Sequence, residues 1–158
     1  GIKGAQAIAA AIFMARTGST KDEIRRYISD TFGYNLDRSC DDIRPTYRFD
    51  GSCQGTVPES IIAFLVSKDY EDALRLCISL GGDADTMGAI TGAIAGAYYN
   101  KIPYALYGYG MEKLPYDIQN VIVKFYSEHG QNVSCRWRNA EFDAAELIRK
   151  VKSGEVFI

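Results

Sequence analysis

Asp83, Asp85 and Thr86 stand close together in SLGGDADTMGAITGAIAGAYYN, residues 79–100. A Gly81-Gly82 pair precedes them, and a segment made mostly of Gly and Ala follows. The two glycines allow a sharp entry. Asp83 is then a natural helix N-cap, with Asp85 and Thr86 in the first turn. Residues two apart on a helix do not face each other. The two carboxylates therefore converge only if Asp83 lies outside the helix, in the turn. Thr86, three positions after Asp83, adds a hydroxyl oxygen on the same side. Such a cluster of hard oxygens suits Mg²⁺ or Mn²⁺. A plainer reading fits the same residues, because acidic side chains at a helix start complement the helix dipole. Gly88, Gly92 and Gly96 lie four apart on one stripe of the following helix. Each costs ~1 kcal/mol relative to Ala, so the stripe predicts close approach by neighbouring backbone in a buried central helix.

The elements that must position these residues are helical. Residues 5–16 are Ala-rich and apolar on nearly every side, which predicts a buried helix ended by Thr17-Gly18. Thr20 and Glu23 form a capping-box pattern for a second helix, with Ile24, Tyr27, Ile28 and Phe32 as its stripe and Gly33 as its stop. Residues 34–55 show no steady period, and an irregular stretch of that length is more often functional than idle. Thr56 with Glu59 predicts the cap of the next helix, whose buried side carries Ile61, Ile62 and Leu65. Asp69 or Tyr70 opens another helix to about Leu80, with Ala73, Leu74, Cys77 and Ile78 facing in. After the Gly-rich helix, a short one covers roughly 104–112. Pro115 opens a longer one with Ile118, Ile122, Phe125 and Tyr126. Asn139 caps a last helix with Phe142, Leu147, Ile148 and Val151, and EVFI is the one candidate strand. The expected class is all-α, with seven or eight helices in a single domain over 1–158.

Composition excludes several roles. The chain has 158 residues, is 47% hydrophobic and carries a net charge of −2. No broad cationic field is present to hold nucleic acid or an anionic membrane. No apolar run reaches the ~18–20 residues of a membrane span. Cys40, Cys53, Cys77 and Cys135 lack the short spacing of a zinc site, and they read as reduced thiols of a cytoplasmic protein. Cys77 reads as a small core residue. His129, before Gly130, reads as a helix-end or surface residue.

The stretch SLGGDADTMGAITGAIAGAYYNKIP resembles the C-terminal metal motif of the ADP-ribosylglycohydrolase family. FDGSCQGTVPESIIAFLVSKDYEDALRLCISL, residues 49–80, resembles the segment before that motif, and GIKGAQAIA resembles the sequence after the family's His-Pro element. The resemblance covers residues 1 to about 105, with the segments in the family's order. It implies the C-terminal part of an orthogonal, all-helical fold around a dinuclear magnesium site. It also implies hydrolysis of the glycosidic bond between ADP-ribose and a modified side chain or related compound. Asp83, Asp85 and Thr86 match metal-ligand positions, with Asp83 and Asp85 as the catalytic pair. Gln54, Gly55, Thr56 and Val57, after Cys53, match a segment lining the ribose and pyrophosphate end of the pocket. Backbone N–H groups at a helix start also suit phosphate.

The family's first metal element, of the Thr-Asp-Asp-Thr type, lies in an N-terminal half outside this sequence. The aspartates of CDDI, residues 40–43, have surroundings that do not match it. The expectation is a hydrolase completed by a second chain or segment that carries that half. The alternative is a non-catalytic family member that serves as a binding or structural protein.

Overall fold

The computed structural model describes residues 1–129. Among the described residues eight helices follow one another: α1 (Ile2–Thr17), α2 (Lys21–Phe32), α3 (Cys40–Ile43), α4 (Cys53–Val66), α5 (Tyr70–Ser79), α6 (Ala84–Tyr99), α7 (Tyr104–Lys113) and α8 (Tyr116–His129). No strand occurs among the described residues, so the all-α class holds. The chain divides into two compact units, Gly1–Tyr99 and Asn100–Ile158. No described helix is long and apolar enough to cross a membrane. The expected helix capped by Asn139, the EVFI strand and Cys135 lie outside the described residues.

In the first unit, α6 packs against α1, α4 and α5, and α4 also touches α1, α2, α3 and α5. The most enclosed helix is α4 rather than the Gly-rich α6: every residue from Thr56 to Leu65 is buried. Its run of large apolar side chains needs cover on all sides. The buried Thr91 hydroxyl of α6 donates to the Ser60 carbonyl of α4 at 2.9 Å and ties the two together.

Helix α1 is one-sided, not enclosed. Gly4, Ala7, Ala11 and Ala15 make a small-residue stripe against the core, whereas Ile2 and Phe13 stand out in solvent. The Thr20–Glu23 capping box of α2 is present, and Gly33 ends the helix at φ 64°. Tyr27, expected on the inner stripe, is exposed. In α5, Asp69 caps and Ala73 and Cys77 are buried, but Ile78 faces out. The ammonium of Lys21 closes the far end of this unit. It donates to the Ser67 carbonyl and, at 2.8 Å, to the Tyr99 hydroxyl, over the rings of Phe64, Tyr98 and Tyr99.

Two expectations about local starts fail. The N-cap of α4 is Ser52, whose hydroxyl accepts from the Gly55 N–H. Thr56 is a buried residue inside the helix, and Glu59 pairs with Arg38 at 3.0 Å instead of closing a capping box. Ser52 prevails because Asp50-Gly51 before it makes a turn: the Ser52 N–H donates to Asp50 Oδ1 at 2.8 Å. The irregular stretch also contains the short α3, capped by a Ser39–Asp42 box. Its two aspartates are occupied there, Asp42 with Ser39 and Asp41 with Arg44.

In the second unit, Pro103 precedes α7, and α8 starts after Pro115. Ile118 and Phe125 of α8 are exposed, while Gln119 is buried and donates to the Leu114 carbonyl at 2.8 Å. His129 is the last residue of α8.

Candidate active site

Gly81 and Gly82 adopt φ 80° and φ 71°, the left-handed region, at the turn between α5 and α6. Only glycine takes two such angles in succession without strain. The turn leaves Asp83 just ahead of α6, where its carbonyl accepts the Met87 N–H at 2.9 Å. Asp85 falls in the first helical turn, and its Oδ1 accepts the Thr86 N–H at 3.0 Å. The turn thus sets Asp83 ahead of the helix and Asp85 in its first turn, with the two side chains as neighbours at the helix start. Interaction with the neighbouring Asp83 side chain, and with the backbone N–H groups of Thr86 and Asp85, holds the Asp85 carboxyl below the usual carboxylate range. Asp83 is half-buried, and Asp85 and Thr86 are exposed.

The oxygen donors of Asp83, Asp85 and Thr86 fit a hard divalent cation and not a thiophilic one. Two carboxylates together also offset the positive end of α6, which alone repels a cation. Among the described residues no group of three or more His, Cys, Asp or Glu comes together. This turn therefore supplies only part of an octahedral shell.

The expected Gly-to-backbone contacts in α6 are absent. A methyl group on Gly88 would meet nothing within 4 Å. On Gly92 it would touch Leu74 Cδ2 and the Tyr70 hydroxyl at 3.4 Å, and on Gly96 the Tyr70 ring at 3.7 Å. The stripe faces side chains of α5, at ordinary contact distance.

Gln54, Gly55, Thr56 and Val57 form the first turns of α4. Gln54 is exposed and Gly55 half-buried, whereas Thr56 and Val57 are buried. The Thr56 hydroxyl donates to the Asp50 carbonyl at 2.7 Å, inward and away from solvent. Gly55 lies directly beneath the Asp50 carboxylate, where any Cβ would collide. The N–H groups of Cys53 and Gln54 precede the first helical bonds, made by Gly55 and Thr56 to the Ser52 carbonyl.

Sequence reasoning missed the residue that joins the two motifs. The Tyr47 hydroxyl donates to the Gly55 carbonyl at 3.1 Å. Its ring lies against Gly82, with Cε1 only 2.5 Å from where a Cβ would stand. Burial pushes the phenol pKa up; the Thr56 hydroxyl opposes this, and the charges of Glu59, Asp50 and Asp83 add to it. Beside it, Arg38, Arg48, Phe49, Asp50 and Glu59 help line an open cleft of ≈ 490 Å³. The available signal was the length of the irregular 34–55 stretch, which contains Tyr47.

The profile of the ADP-ribosylglycohydrolase family matches residues 1–132. An uncharacterized protein of Archaeoglobus fulgidus is 43% identical over 47 residues, which covers 30% of this chain and 15% of that protein. No solved structure matches. The matched span takes in the Gly-Gly-Asp turn, the α4 start and the tyrosine between them, and the chain belongs to the ADP-ribosylglycohydrolase family.

Proposed function

We propose that this chain forms part of a metal-dependent hydrolase that cleaves the N- or O-glycosidic bond of ADP-ribosylated proteins or small ADP-ribosyl compounds. The observation that carries the reading is the Gly81-Gly82 turn, which sets Asp83 just ahead of α6 and Asp85 in its first turn. Asp83, Asp85 and the Thr86 hydroxyl are the donors for Mg²⁺ or Mn²⁺. A bound dinuclear centre supplies Lewis acidity and orients a water and the ribose hydroxyls. The chain's own residues do the rest. The α4 start offers N–H groups to the pyrophosphate, at the positive end of a helix. Gln54 presents the exposed surface of that segment, and the buried Thr56 and Val57 hold it rigid. A second chain or segment provides the remaining metal donors, in keeping with the partial donor set of the turn. The free thiols of Cys40, Cys53 and Cys77 accord with a cytoplasmic setting.

The second reading is a non-catalytic binding or structural protein of the family. One experiment separates the two. In the presence of the complementary half, Mn²⁺ raises the melting temperature and ADP-ribose is released from a modified substrate; Asp85→Ala abolishes both. If EDTA changes neither melting nor hydrolysis, the metal reading fails. Metal-dependent stabilisation without turnover leaves the binding protein.

A further inference from the structure

We propose that Tyr47 is a positioning residue that holds the α4 start and the Gly81–Asp83 turn in register, so that a substrate at one and a metal at the other meet correctly. The inference rests on the functional reading above and deepens it, since it concerns how the same site is assembled. The two segments belong to different helices and are separated by the whole of α4 and α5. Among the described residues, Tyr47 touches both at points one residue from a candidate ligand or inside the candidate substrate segment. At one end its hydroxyl binds the Gly55 carbonyl. At the other its ring fills the place of a Gly82 side chain, directly before Asp83. The contacts differ in kind. A hydrogen bond sets direction at the α4 start, and a close van der Waals contact sets distance at the turn. Tyr47 is itself anchored: its backbone N–H donates to the Ile43 carbonyl at 2.9 Å, behind the short capped α3. Glycine at 82 is thus required twice, for its φ of 71° and for the ring over it.

The two contacts can be cut separately. Tyr47→Phe removes the hydroxyl and keeps the ring; Tyr47→Ala removes both; Gly82→Ala forces the ring away. We would measure Mn²⁺ affinity, ADP-ribose affinity and NMR shifts of the Gly82 Hα and the Asp83 and Asp85 carboxyl carbons, in the protein with its complementary half. Tyr47→Phe is expected to leave Mn²⁺ affinity at the wild-type level and to weaken ADP-ribose about fivefold, the loss of one ordinary hydrogen bond. Tyr47→Ala is expected to weaken Mn²⁺ about 10–100-fold, as removal of an outer-shell support does. It also abolishes the ring-current shift of Gly82 and moves both carboxyl resonances. Rescue of Mn²⁺ affinity by Phe over Ala separates positioning from general stability. Should Tyr47→Ala fail to fold, Tyr47→Leu, which removes the ring and leaves the Gly82 backbone untouched, carries the same test: Mn²⁺ weakens and the carboxyl resonances move. Folded variants with the ring removed or displaced, but with unmoved carboxyl resonances and wild-type affinities, overturn the proposal. If the wild-type protein binds no Mn²⁺, the metal reading falls by itself, and the carboxyl resonances still decide the role of Tyr47.

Discussion

Gly55 and Gly82 each yield space to one neighbour, and the neighbours differ. At Gly82 the neighbour is a ring with little freedom to move; at Gly55 it is the Asp50 carboxylate, the far end of a side chain. In the α4 backbone an Ala at 55 gains up to ~1 kcal/mol of helix propensity over Gly. Overpacking costs ~1–3 kcal/mol, and the displaced Asp50 gives up the Ser52 N–H. Overpacking is the larger effect, so Gly55→Ala is expected to lower stability by ~1 kcal/mol. In an Asp50→Gly background none of the Asp50 side-chain atoms that crowd that space remains, Cβ included, and only the propensity gain is left, so the same change raises stability. Urea midpoints of the four proteins check this. A destabilisation that persists without Asp50 would mean that something else occupies the space.

At the scale of elements, α6 illustrates how a small-residue stripe can mislead. Glycines four apart place three positions on one face, and that face does meet α5. The partners are the side chains of Tyr70 and Leu74, which tolerate a methyl at Gly92, and Gly88 faces open space. Gly88→Ala is therefore expected to stabilise the chain by up to ~1 kcal/mol through backbone entropy. Gly92→Leu is expected to cost ~1–3 kcal/mol, because the added atoms run into Leu74 and Tyr70. Thermal or denaturant unfolding of both variants decides it. A loss of stability in Gly88→Ala would show that another surface covers that face. The start of α4 teaches a related lesson. Ser52 and Thr56 both have a Thr/Ser hydroxyl suited to capping, but the Asp50-Gly51 turn delivers the chain to Ser52 first. The helix then begins early enough to bury Thr56.

At the scale of the whole molecule, a net charge of −2 gives little electrostatic repulsion between copies. Ile2 is 79% and Phe13 67% exposed on the outer side of α1, and Phe49 is 73% exposed beside the cleft. Full burial of one such side chain contributes ~1.5–3 kcal/mol. The isolated chain is expected to self-associate as its concentration rises, and the double variant Ile2→Lys, Phe13→Glu to do so less. Sedimentation velocity over a concentration series measures this. A wild-type chain that stays monomeric throughout would remove the argument from these side chains.

Local chemistry along the chain already determined the all-α class, the α2 capping box, the glycine stop at Gly33, the starts of α5 and α6 and the acidic turn at Asp83–Thr86. These depend on residues within a few positions of one another, where capping, dipole and dihedral preferences act directly. The tertiary structure decided which faces are covered. It left Phe13, Tyr27 and Ile78 in solvent, enclosed α4 instead of α6, and turned Glu59 from a capping partner into the ion-pair partner of Arg38. It also decided the place of Tyr47, whose hydroxyl reaches eight residues ahead to Gly55 and whose ring lies over Gly82. Those contacts join segments far apart in the chain. Neither hydrophobic period nor turn chemistry specifies them, because their geometry follows from how α3, α4, α5 and α6 pack together.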